Sequence, residues 1–182
     1  MKKDITQVLV TEHRLILRMI DLLERNASEM LEGNFSDWRF FIDAIDFIRN
    51  YADRFHHAKE EDVLFEALVA NGMPREHSPV AAMLMEHDAG RAHVALLDKG
   101  VKAAMAGETG QEPVIAEHAF GYATLLREHI SKEDGVLYPL AERLIPESAR
   151  DGIISAYFDS EEKKGADFSA RYEEMVIKYE SR

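Results

Sequence analysis

The chain has 182 residues, 46% of them hydrophobic and 31% charged, with a formal net charge of −12 and no cysteine. That length suits one domain with its own core. The acidic balance argues against a surface built for nucleic acid or anionic lipid, and the missing cysteines exclude disulfides, thiolate metal sites, iron–sulfur ligation and a cysteine nucleophile. Met1-Lys2-Lys3-Asp4 meets polar residues before any apolar run, and no stretch of about 18 apolar residues offers a membrane span. The cytoplasm is the expected location.

A first helix is expected over about Asp4 to Glu32, where Leu9, His13, Ile16, Leu17 and Ile20 recur at three- and four-residue steps. Gly33-Asn34 stops it, and Ser36 is placed to cap the next helix. The second helix runs to Asn71-Gly72, with Ile45, Ile48, Ala52, His56, Glu60 and Leu64 on its inward stripe. Ser78-Pro79 opens the third, which reaches about Ala106 and turns Val80, Met83, Leu84, His87, Val94 and Leu97 inward. After the break at Gly107 to Gln111, Pro113 restarts a fourth helix whose stripe reads His118, Tyr122, Leu125, His129 and Glu133. Pro139 lacks an amide donor and is expected to kink or weaken the last turns. A more polar helical tail follows Ile145-Pro146. No strand-like alternation competes. The fold class is therefore all-α: an up-down-up-down four-helix bundle over about 4–145 with a C-terminal helical extension over about 147–180, together one domain, 1–182.

Chemistry concentrates in a repeat. Phe55-His56-His57-Ala58-Lys59-Glu60-Glu61-Asp62-Val63-Leu64-Phe65 is echoed by Glu128-His129-Ile130-Ser131-Lys132-Glu133-Asp134-Gly135-Val136-Leu137-Tyr138 at a shift of 73 residues. Glu12-His13 is echoed by Glu86-His87 at a shift of 74. Each half thus offers one histidine and then a His-x-x-x-Glu, whose i and i+4 side chains share a helix face. Counting about 1.5 Å per residue from the connections sets His13 and His56 at one height, and His87 and His129 likewise. His13, His56, Glu60, His87, His129 and Glu133 then converge in the core. Unpaired buried carboxylates cost several kcal/mol each, which metal binding removes. Six donors suit two ions, each with two imidazoles and with the carboxylates bridging. Nitrogen and oxygen donors without sulfur favour iron, manganese or zinc.

These motifs resemble the hemerythrin-like, or HHE cation-binding, family over about residues 4 to 145. The resemblance rests on Glu12-His13-Arg14, His56-x-x-x-Glu60 before Val63-Leu64-Phe65, Glu86-His87-Asp88, and His129-x-x-x-Glu133 before Val136-Leu137-Tyr138-Pro139. It implies two iron ions with an oxo or hydroxo bridge, able to meet O₂, NO or peroxide. The chain departs from the family's oxygen carriers: Arg91 stands where those have a second histidine on the third helix, and the last helix carries His129-x-x-x-Glu133 where they have a longer His-to-Asp step. It is closer to the bacterial four-histidine, two-glutamate branch linked to nitrosative stress and iron–sulfur repair. Open coordination positions then admit a diatomic ligand or peroxide, with a separate redox or protein partner. An NO reductase, a peroxide-consuming enzyme, a sensor, a reversible O₂ carrier and a metal-free interaction module remain the competing functions.

The remaining polar residues carry plainer expectations. His57 and Glu61, about 100° around from their neighbours, face solvent or an adjacent helix, or else mark a one-residue shift of the ligand set. The acidic runs are solvated faces apart from Glu60. His118 is about three turns from His129, too far to share its ions. Tyr122 belongs to the core, Arg91 pairs with a carboxylate or points outward, and His77 and His93 are turn and surface residues.

Overall fold

The computed structural model describes residues 2–34 and 37–182. Helix α1 (Gln7–Leu31) begins where the Asp4 carboxylate accepts the Thr6 and Gln7 amides at 2.9 and 2.8 Å, and it gives way to Gly33 at positive φ. Ser36, the expected cap, lies outside the described residues; Asp37 accepts the Arg39 amide at 3.1 Å at the head of α2 (Trp38–Phe47). The second helix continues without a break through two π-helical stretches, Ile48–His57 and Glu60–Leu64, into α3 (Phe65–Ala70). Ser78 caps α4 (Pro79–Met105) by accepting the Ala81 amide, as its sequence predicts. Helix α5 (Glu112–Lys132) passes through a π turn, Glu133–Leu137, into α6 (Tyr138–Leu144). Two further helices, α7 (Glu147–Glu162) and α8 (Phe168–Glu180), form the tail.

Helix α1 packs on α2 and α5, and α4 packs on α2 and α5, so the four long helices close a square in chain order. The tail lies outside it: α8 covers α1 and α2, and α7 covers the π turn Glu60–Leu64. Two apolar clusters sandwich the level of the buried histidines and glutamates. One is built around Leu23, Phe41, Phe47, Leu97 and Ala119, the other around Leu9, Leu64, Leu68, Leu137 and Ile145. The described residues are all helix, turn or coil, without strand. No helix among them is long and apolar enough to cross a membrane.

The sequence repeat is also a backbone repeat. Phe65 donates to the Glu60 carbonyl and Tyr138 to the Glu133 carbonyl, five residues back in each case. Such π turns gather at functional sites. Pro139 therefore does not end its helix: it is the second residue of α6, directly after a turn where the hydrogen-bond ladder is already re-registering, so the missing amide is absorbed.

Candidate metal centre

The six residues singled out in the sequence meet in the core, each no more than 2% exposed. Two groups form among the described residues, His13-His56-Glu60-Glu133 and His57-Glu60-His87-His129, with one candidate atom per residue lying within 4.8 Å of the others in its group. Glu60 belongs to both. The Glu60 Oε2 stands 3.7 Å from His56 Nε2 and 3.5 Å from His87 Nε2. Glu133 stands 3.3 Å from His13 Nε2 and 3.2 Å from His129 Nε2. Each carboxylate thus reaches one imidazole of either pair. Two imidazoles bound at right angles to one ion through bonds of about 2.1 Å have ring centres roughly 4.6 Å apart. The His13–His56 centres are 4.6 Å apart at an interplanar angle of 63°, and the His87–His129 centres 4.7 Å apart at 62°.

The outward nitrogens are all tied down. His56 Nδ1 bonds Glu12 at 2.9 Å, His87 Nδ1 bonds Glu61 at 2.7 Å, His129 Nδ1 bonds Glu86 at 2.9 Å and His13 Nδ1 bonds Asp134 at 2.9 Å. A carboxylate on Nδ1 fixes the tautomer that leaves Nε2 free as a donor to metal. These four carboxylates obey the same repeat as the donors. A lysine backs two of them, Lys59 on Glu12 and Lys132 on Glu86. The environments differ, however. Lys59 is fully buried, held also by Glu161 of α7 at 2.6 Å and lying 3.7 Å over the Phe55 ring, whereas the Lys132 side chain is 45% exposed.

Inside the ring of imidazoles, Glu60 Oε2 and both Glu133 oxygens are buried without a hydrogen-bond partner, a costly state that a cation relieves. Burial and the neighbouring Glu133 charge push Glu60 well above the usual carboxylate range. Burial acts the same way on Glu133, but His129 and His13 outweigh it and hold that carboxyl well below. His13, which burial would lower, is raised to about 9 by Asp134 and Glu133, while burial and the charge on His13 drive His56 well below its ordinary value. Protons and imidazolium thus do in part the neutralising work open to divalent ions.

Several functional contacts lie beyond what the sequence pattern shows. His57 is buried, its ring stacked on His87, and Glu61 holds His87 Nδ1; both turn toward α4 rather than to solvent. The wide π turns advance fewer degrees per residue than an α-helix, which keeps His57 beside the inward stripe. Tyr138 donates to Glu60 Oε1 at 2.5 Å and reaches within 3.3 Å of His13 Nε2. Its counterpart across the repeat, Phe65, has no hydroxyl. The Phe-to-Tyr change was the available signal. Arg91 pairs with Asp53, Glu61 and Asp88, Tyr122 is buried, and His118 sits with His93 at 3.3 Å, apart from both groups.

A four-helix square with imidazoles and carboxylates converging at its centre defines a cation-binding helical bundle. The chain belongs to the family described as the Hemerythrin HHE cation binding domain, whose model matches residues 4–141. No curated protein and no solved structure matches it.

Proposed function

We propose that the chain holds two iron ions, one between His13 and His56 and one between His87 and His129. Glu60 and Glu133 serve both ions, and the pair binds or reacts with O₂, NO or peroxide. The observation that carries this reading is the polarity of the four imidazoles: every Nδ1 is anchored to a carboxylate, and every Nε2 faces carboxylate oxygens, three of which lack any other partner. Iron, when bound, supplies a redox couple and open coordination positions; manganese or zinc would fit the same donors.

The chain's own residues prepare the site. Glu12, Glu61, Glu86 and Asp134 hold the imidazole rings in register, and Tyr138 keeps a proton at Glu60 Oε1. The two apolar clusters exclude water from either side. The tail belongs to the same domain, because Glu161 completes the burial of Lys59 behind Glu12. A chain without cysteine suits the cytoplasm, with a separate protein supplying electrons.

Iron-supplemented expression followed by elemental analysis tests the reading: two ions per chain support it, and a metal-free protein refutes it. Excess NO added to the reduced protein without oxygen then separates the outcomes. Many equivalents of N₂O indicate an enzyme; one held equivalent indicates a sensor or carrier.

A further inference from the structure

The two halves of the repeat match in their donors, outer carboxylates and lysines, so their differences mark what one half has gained. Under the 73-residue shift His57 corresponds to Ile130 and Asp53 to Leu126; under the 74-residue shift Arg91 corresponds to Leu17. All three polar residues stand on the His87/His129 side, around a cavity of about 150 Å³ that is also lined by His87, His129 and Tyr122. A space of that size takes a guest of a few heavy atoms. On the other side Tyr138 stacks over His13, and buried Lys59 under Glu161 closes the outer face.

His57 is the unusual wall of this cavity. It is 6% exposed, and its Nδ1 has no hydrogen-bond partner, with Asp53 Oδ1 3.5 Å away. A buried polar atom of that kind calls for an occupant. The ring lies flat on His87, with centres 3.8 Å apart and planes 12° apart, and one of its nitrogens is within 4.8 Å of donor atoms of Glu60, His87 and His129. Flat stacking at less than the roughly 4.6 Å expected of perpendicular co-ligands puts His57 alongside His87 rather than around the same ion. Arg49, Arg54 and Arg91 line the cavity together with Asp53 and Glu86; Asp98 holds Arg49 at 3.0 Å, and Asp53 and Glu61 hold Arg91 at 2.8 and 2.6 Å.

We propose that this cavity is the binding pocket for a hydrogen-bond-accepting ligand of two or three heavy atoms, such as peroxide, that the ion between His87 and His129 alone receives it, and that His57 donates a hydrogen bond to it. The inference rests on the two-ion reading above. Azide added to the oxidised, iron-loaded full chain is the probe, followed by its absorption change, with iron content measured in parallel. His57→Ile, the residue of the matching position, is expected to keep two irons and weaken azide binding about tenfold or more, the loss of one hydrogen bond to a charged guest. Gly90→Val, which fills the cavity from α4 without touching a donor, is expected to weaken or slow azide binding by a similar factor. Loss of one iron in His57→Ile overturns the proposal by making His57 a ligand. Unchanged azide binding in Gly90→Val overturns it whether or not the His57 variant folds. A wild-type chain that holds fewer than two irons instead refutes the two-ion reading itself.

Discussion

Replacing Glu12 or Glu86 by alanine makes one chemical change in two settings. Each carboxylate holds the Nδ1 of a histidine at 2.9 Å, His56 for Glu12 and His129 for Glu86, and each is backed by a lysine. Loss of such a partner costs about 10- to 100-fold in metal affinity, so both variants should weaken metal binding alike. Stability should not follow suit. The Glu12–Lys59 pair is buried, with side chains 8% and 0% exposed, and breaking a buried pair costs about 3–5 kcal/mol. Lys59 keeps Glu161, and burial already raises the Glu12 carboxyl against the pull of Lys59, so the lower end of that range, about 3 kcal/mol, applies. The Lys132 side chain is 45% exposed, and the Glu86–Lys132 pair is worth about 0–1 kcal/mol. For a chain of this length about 3 kcal/mol corresponds to a Tm lower by roughly 6–12 °C. Thermal unfolding of the metal-free variants reads the difference, and competition against a chelator reads the affinity. Equal Tm losses, or a larger loss for Glu86→Ala, would refute the assignment of burial as the deciding factor.

Tyr138→Phe removes the donor to Glu60 and should destabilise the metal-free protein by about 1 kcal/mol in urea unfolding while leaving metal content unchanged. Glu61 is opposed by burial yet held at about 2 by His87 and Arg91, below its ordinary 4.5. Its folded value is depressed, so its contribution is present above pH 4.5 and is lost as pH falls toward 2; the urea-midpoint gap between wild type and Glu61→Gln should close over that window. His13 is raised from 6.5 to about 9, so its contribution to the metal-free protein is complete below pH 6.5 and is lost as pH rises to 9. Metal-loaded protein should lack that decline, which midpoints across the range will check. Glu133→Ala should empty the site in elemental analysis, whereas His118→Ala, half-buried beside His93, should retain both ions.

The helices, their order and the common height of the histidines were legible because apolar periodicity and Gly or Pro punctuation are local signals. Ser78-Pro79 and Gly107 fall where α4 starts and stops. The convergence of His13 with His56, and of His87 with His129, followed from counting residues to the turns. What escaped is set by backbone geometry and by neighbours distant in sequence. The π winding of Ile48–His57 leaves no mark in composition, yet it keeps His57 inside. Glu61 reads as one more member of an acidic run until α4 brings His87 against it. Tyr138 looks like any core aromatic until its hydroxyl is seen on a carboxylate 78 residues away.

The four carboxylate–imidazole bonds run in a single direction around the square. Helix α1 gives Glu12 to His56, the second helix gives Glu61 to His87, α4 gives Glu86 to His129, and the segment after α5 returns Asp134 to His13. Three of these links span 44, 26 and 43 residues; the fourth spans 121, which adds about 1 kcal/mol of loop-closure entropy over its fellows. A directed circle has no first member. Two separate copies of either half, paired about a two-fold axis, would form the same four links, which is the arrangement expected if this gene arose by fusion of a self-pairing ancestor. A chain cut between α3 and α4 and supplied as two fragments retains every link in the circle and should reassemble into the same bundle.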